Sequence, residues 1–288
     1  MKISVLTTIT HPKERQDRFK EAFKCYQSFA DELIVVDGGA SFEENGRIDE
    51  ISEKMRVLYL DWPDEWNWAE LPRHLNEGRK LCAGDWIIKL DIDQMIHERD
   101  FEELRRRLSE VPSDCYTATL QKMCFVCGKK YYQKGPQAIA FRNEPDIVFG
   151  KDVDNETDLC YTIKQVGTED VYQHDYKLPI GKVLKPFKTG IRFWNYDYFF
   201  KTQEFTKKEF WRFSRAYNRY FTSTRFGDNE ERSFEVFLNM QKARYKEAPY
   251  IYNLEDHPVF IREEVKNLTP KQFGFNGWEL IDQTREPS

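Results

Sequence analysis

Asp91 and Asp93 stand two residues apart, directly after the apolar run Trp86 to Leu90. Side chains two apart on an extended chain point the same way, so both carboxylates can converge on one point. No Lys or Arg follows within two residues. Paired carboxylates at a strand end suit a hard divalent cation held by oxygen, Mn2+ or Mg2+, and such a cation commonly carries a diphosphate. The plainer competing reading is a solvated acidic turn.

The elements that must position these acids are legible from periodicity. Ile3 to Thr10 reads as a buried strand. Phe19, Ala22, Phe23, Tyr26, Phe29 and Ala30 make one apolar face at helical spacing. Leu33 to Val36 is a second strand, ending at Asp37-Gly38-Gly39, and Val57 to Leu60 a third. A helix closing on Gly84 leads into the fourth, Trp86 to Leu90. Strands alternating with helices imply an α/β fold with a largely parallel sheet and a ligand site at the carboxyl ends of its strands. Thr8, Asp37, Asp91 and Asp93 all fall at such ends. Asp37 before two glycines also suits a plain turn.

Further along, Tyr116 to Leu120, Lys122 to Val126 and Ala138 to Phe141 read as strands. Aromatics crowd the segment Phe193 to Phe200, and most of them suit a core. Thr206-Lys207-Lys208-Glu209 has the form of a capping box. The helix it opens carries Phe210, Phe213, Tyr217 and Phe221 on one face. A second helix is expected over Ser233 to Tyr245, and a third starting at Thr269-Pro270. The expected organisation is a domain over residues 1–200 and a helical extension over 201–288 packed on it.

Asn76, Gly78, Gly84, Asp91 and Asp93 lie at relative positions 0, +2, +8, +15 and +17. This spacing resembles the core pattern of family 2 glycosyltransferases, roughly N-x-G-x-x-x-A-x-G, an apolar strand, then D-x-D. Cys82 replaces the usual small Ala, a mild change because Cys is small and readily buried. The resemblance is clear over residues 1 to about 110 and looser beyond. It implies a GT-A fold, a Rossmann-like nucleotide-sugar-binding sheet flanked by helices.

It also implies roles. Asp37 would contact the nucleoside, Asp91 would support ribose and metal, and Asp93 would be the principal metal ligand. Arg73, on the helix side of the same edge, is a candidate for the diphosphate, or else a surface helix arginine. An inverting transferase needs a base for the acceptor hydroxyl. Asp170, closing Thr168-Glu169-Asp170, resembles the family's acidic pair ending in that base. Asp152, in the acidic stretch Lys151 to Asp158, competes with it, and the stretch also suits a solvated loop. The aromatic segment resembles lipopolysaccharide-core-type members, where H-Y-x-Y precedes a helix. Asn195 stands in place of that histidine, so Asn195 or Asp197 is left to supply a third metal ligand. The donor would be a UDP- or GDP-sugar and the acceptor a glycan or glycolipid, with inversion of configuration.

Composition sets bounds. The chain has 288 residues and a net charge of −5, which gives no electrostatic case for binding nucleic acid. No stretch approaches the roughly 20 apolar residues that span a bilayer. The N-terminus enters a strand directly, so a cytoplasmic protein with at most peripheral membrane contact is expected. The six cysteines are scattered. Cys124 and Cys127 form one C-x-x-C unit with no second pair to complete a zinc site, and reduced thiols on a hairpin turning near Gly128 are expected. Two other functions remain open. A sugar nucleotidyltransferase would usually carry a Gly-rich, Arg-containing loop after the first strand, and Thr7 to Arg15 has no glycine. A noncatalytic carbohydrate-binding protein with a degenerate fold would have no need of intact Asp91 and Asp93.

Overall fold

Apolar residues follow one another without alternation in the first two strands, so those strands must be covered on both faces. The computed structural model, which describes residues 1–39, 52–62, 70–127, 129–150, 162–165, 171–173 and 186–279, places them so. Strand β1 (Ile3–Ile9) pairs in parallel with β2 (Glu32–Asp37), and helix α1 (Phe19–Phe29) joins them. Leu33 and Val35 pack with Phe19, Phe23 and Tyr26 of α1 on one face. Ile34 and Val36 pack with Leu75 of helix α2 (Glu70–Arg79) on the other. Each fully buried side chain of this size is worth roughly 1.5–3 kcal/mol.

Strand β3 (Met55–Tyr59) extends the sheet beside β2, and β4 (Trp86–Lys89) lies in parallel on the other side of β1. The chain then forms β5 (Gln94–Ile96), helix α3 (Phe101–Ser109) and the antiparallel pair β6 (Thr117–Phe125) and β7 (Lys130–Arg142). Strands β8 (Ile147–Gly150), β9 (Thr162–Gln165) and β10 (Val171–Gln173) make a separate small antiparallel sheet. Strand β11 (Pro186–Asn195) returns between β6 and β5. Helices α4 (Gln203–Phe221) and α5 (Glu230–Glu247) follow, then β12 (Tyr250–Ile251), which pairs with β7. Two short helices, α6 (Arg262–Lys266) and α7 (Phe273–Asn276), come last. The large sheet runs β3-β2-β1-β4-β7-β6-β11-β5. Strand order reverses between β1 and β4, which opens a crevice at their carboxyl ends. The fold is therefore a mixed α/β sheet flanked by helices, as the alternation of elements implied.

Two glycines of the spaced pattern serve packing. A Cβ on Gly78 would lie 2.5 Å from a Val36 methyl and 2.7 Å from a Leu6 methyl, so only glycine lets α2 sit this close to the sheet. A Cβ on Gly84 would lie 2.6 Å from Ser4 Oγ. The helix expected to close on Gly84 ends earlier, at Arg79, because Lys80 to Cys82 turn and Gly84 is pressed against β1. Asn76 donates to the Phe149 carbonyl at 2.8 Å and accepts from its N–H at 2.9 Å, tying α2 to β8.

The C-terminal helices begin elsewhere than the sequence pattern suggests. The capping box at Thr206 is not used: Thr202 caps α4 one turn earlier, and Thr206 is buried inside the helix. Asn229 caps α5, which starts before Ser233. The Thr269-Pro270 start is a turn, and α7 begins three residues later. Cys124 and Cys127 are buried free thiols near the ends of the β6–β7 pair. Among the described residues no helix is long and apolar enough to cross a membrane.

Candidate functional site

A cleft of about 370 Å³ opens at the carboxyl ends of β1, β2 and β4. Thr8, Ile9 and Thr10 line it from β1, Gly38 from the turn after β2, and Asp91 and Asp93 from the turn after β4. Leu71 and His74 of α2 and Trp62 close one side. Asp197, Tyr198, Lys201 and the first turns of α4, with Glu209, Arg212 and Phe213, close the other. The segment beyond residue 200 thus builds a wall of the cleft.

Strand pairing brings the acids together. Asn195 lies opposite Gln94 in the β11–β5 pair, and Tyr196 N–H donates to the Asp93 carbonyl at 2.8 Å. Asp197 is thereby carried beside Asp93, 104 residues away in sequence. Beneath the turn, Tyr26 Oη donates to the Asp91 and Gln94 carbonyls at 2.5 and 2.8 Å. Burial, then the Asp91 and Asp197 carboxylates, push the Asp93 carboxyl up to about 7. Burial also raises Asp197, with Glu209 adding to it against Lys201 and Lys122.

Asp91 differs from its neighbour. One carboxylate oxygen pairs with the buried Lys89 ammonium, two residues earlier on the same face of β4. The other accepts from Gln94 Nε2 at 3.0 Å. Gln94 Nε2 also reaches Asn195 Oδ1 at 3.4 Å. Asn195 is buried and lines a second, smaller cavity rather than the cleft, so of the two candidates it is Asp197 that shares the cleft with Asp93.

Asp37 is almost fully buried and is not among the cleft-lining residues; its carboxylate accepts the Gly39 N–H at 3.1 Å and shapes the turn that presents Gly38. Arg73 is not among the cleft-lining residues and pairs with Glu70 at 2.7 Å, one turn earlier on α2. Asp152 and Asp170 lie outside the described residues.

The cations that do reach the cleft escaped the sequence reading. Arg15, in the loop after β1, pairs with Asp17 at 3.0 Å and with Glu209 at 3.1 Å. Lys201 pairs with Glu209 at 2.7 Å and with Asp17 at 3.5 Å. Two carboxylates and two cations therefore close a ring at the cleft wall. Burial works against the Lys201 charge, and the Glu209 and Asp17 carboxylates outweigh it, raising its pKa. Arg212 lies one turn along α4 from the ring, exposed and facing the cleft. The one signal for the ring was Arg15 at a carboxyl edge of the sheet; Glu209 read instead as a helix-capping partner.

The residues fit a divalent cation in part. Among the described residues no three His, Cys, Asp or Glu side chains converge as a ready-made cage. Asp93 and Asp197 nevertheless crowd one another, and neither carboxylate has a hydrogen bond or ion pair within the described residues. Mg2+-type cations are commonly held by one or two carboxylates together with waters and substrate phosphates, which is the donor set available here.

No family model matches the chain. Over 119 residues it is 30% identical to the TPR repeat-containing protein Synpcc7942_0270 of Synechococcus elongatus, a stretch covering 41% of this chain and 27% of that protein. The chain thus spans about a quarter of that curated relative's length. Among solved structures, S. aureus TarS 1-349 in complex with UDP-GlcNAc is similar with a TM-score of 0.39 and 11% identity, over 86% of this chain and 74% of that one. The mannosyltransferase PcManGT from Pyrobaculum calidifontis, in complex with GDP-Man and Mn2+, has a TM-score of 0.33 and 12% identity over 42% of this chain and 35% of its own.

Proposed function

We propose that the chain is a metal-dependent glycosyltransferase of the GT-A type. In this reading it moves a sugar from a nucleotide-diphosphate sugar to a hydroxyl of a glycan or glycolipid, with inversion. The observation that carries the proposal is the meeting of Asp93 and Asp197 at the β1/β4 switch point, in one cleft with Arg212 and the Arg15–Lys201 ring. A bare acidic turn would be solvated and would not gather carboxylates from β4 and β11 against their own repulsion.

Asp93 and Asp197 would hold a divalent cation, which when bound screens the diphosphate and stabilises the departing charge as a Lewis acid. Asp91, already oriented by Lys89 and Gln94, would support the ribose and the same cation. Arg212, which lines the cleft, would meet the diphosphate in the role the sequence suggested for Arg73. The nucleoside would lie along Thr8, Gly38 and Trp62, with Asp37 holding the turn beneath it. The acceptor base falls to Asp170, with Asp152 the competing residue.

The test is release of UDP or GDP from a panel of nucleotide sugars, with Mn2+ and with chelator. Mn2+-dependent release from at least one donor supports the proposal. Tight sugar binding with no release under any condition would favour the noncatalytic reading.

A further inference from the structure

A second cavity, of about 50 Å³, lies on the other side of Asp197 from the cleft. Asp197 and Tyr198 border both spaces. The smaller one is lined by Lys122 of β6, Lys134 of β7, and Gln241 and Arg244 of α5. Three cations thus surround a space whose one carboxylate is Asp197. None of the three forms an ion pair within the described residues. Three other buried or half-buried cations around the cleft sit directly against carboxylates: Lys89 on Asp91, Lys201 on Glu209, Arg15 on Asp17.

Gln241 supplies an independent indication. It is 6% exposed, and its Nε2 is buried without a hydrogen-bond partner. A buried amide donor left unpaired is costly, so the residue is explained if a ligand accepts from it. An accepting group that also satisfies three ammonium and guanidinium charges must be an anion with several oxygens. The space is about four times the 10–15 Å³ that a single water needs, which suits a group of a few heavy atoms. Arg and Lys around a compact anion are the usual means of binding phosphate.

We propose that this cavity binds a phosphate ester, and that the ester belongs to the acceptor. The second half of the proposal rests on the cleft being the donor site. Asp197 then divides the two substrates: the donor's diphosphate lies on one side and the acceptor's phosphate on the other, with the acceptor's sugar or polyol hydroxyls reaching past Tyr198 into the cleft. The acceptor class is accordingly a phosphorylated glycan or polyol rather than a neutral oligosaccharide.

The experiment is calorimetric titration of the full chain with inorganic phosphate and with glycerol 3-phosphate, with and without saturating UDP and Mn2+. The variants are Lys134→Gln, Arg244→Gln and Gln241→Leu. Lys134 is partly exposed, so its variant tests the site without disturbing the core. Expected are one saturable site that prefers the ester to free phosphate and persists with UDP and Mn2+ present. Affinity should fall at least tenfold in Lys134→Gln and Arg244→Gln, and several-fold in Gln241→Leu. Absence of binding, or equal affinity in wild type and all three variants, overturns the site. Displacement by UDP with Mn2+ overturns it too, because the anion would then be occupying the donor cleft. Binding of free phosphate with exclusion of the ester overturns the acceptor assignment. Loss of UDP binding with the ester site intact would instead remove the donor reading and leave the anion site standing.

Discussion

Removing the Lys201 ammonium should destabilise the protein through two carboxylates rather than through lost packing. Lys201 is 5% exposed in its side chain, Asp17 3% and Glu209 15%. Breaking a buried pair by deleting one partner typically costs about 3–5 kcal/mol, because the other charge stays buried. Here Arg15 still reaches Asp17 at 3.0 Å and Glu209 at 3.1 Å, so each acid keeps one cation. The expected loss for Lys201→Met is therefore about 2–3 kcal/mol. Lys201→Met with Glu209→Gln removes one charge of each sign and should cost less than the two single variants summed, by about 1–2 kcal/mol.

The assay is urea unfolding followed by tryptophan fluorescence. It also carries a pH signature. Burial raises the Glu209 carboxyl, Lys201 and Arg15 pull it down further, and the net shift is downward. A depressed carboxyl contributes stability above its unfolded pKa and loses it as pH falls through the folded one. The gap between wild type and Lys201→Met should therefore be full at pH 7 and shrink below the ordinary glutamate range. A single variant within about 0.5 kcal/mol of wild type, or strict additivity in the double, would refute the ring as a structural device.

Three other outcomes follow from the same geometry. His257 is fully buried, stacks 4.2 Å from Phe125 and shares a 2.9 Å hydrogen bond with Tyr196 Oη; burial, then Arg262 and His97, hold its pKa down to about 3. A depressed imidazole loses stability as pH falls below about 6.5, by about 3 kcal/mol at pH 4, so His257→Phe should flatten the acid limb of a stability-against-pH curve; an unchanged limb would contradict this. Gly78→Ala should cost about 1–3 kcal/mol from overpacking against Val36 and Leu6, read as a lowered melting temperature. Arg212→Gln should weaken UDP or GDP binding by about 1–3 kcal/mol while Arg73→Ala leaves it unchanged, and the reverse ranking would return the diphosphate role to Arg73.

What could be read from sequence was the part fixed by local rules. Strands β1 to β4 and helix α1 follow from uninterrupted apolar runs and one helical stripe, and Asp91 and Asp93 from their place after a strand. Side-chain pairing was less visible. Lys89 lies on the same face as Asp91, and counting only the residues after the acids missed it. Asn195 and Asp197 were both candidates, and only the β11–β5 register tells which faces the cleft. Glu209 followed the local capping pattern, but Thr202 lies one turn earlier and takes the cap, which leaves Glu209 for Arg15 and Lys201. The ring joins residues nearly 200 apart, and no periodicity encodes such a meeting.

The central claim is that Asp93 holds a divalent cation that carries a nucleoside diphosphate. Calorimetric titration of UDP and GDP into wild type and Asp93→Asn, each with Mn2+ and with chelator, tests it most directly. The account predicts that Mn2+ tightens one of the two nucleotides in wild type, and that Asp93→Asn loses at least about tenfold of that metal-linked affinity, 1.4 kcal/mol or more, while keeping its fold. Undiminished Mn2+-linked affinity in the variant would contradict it.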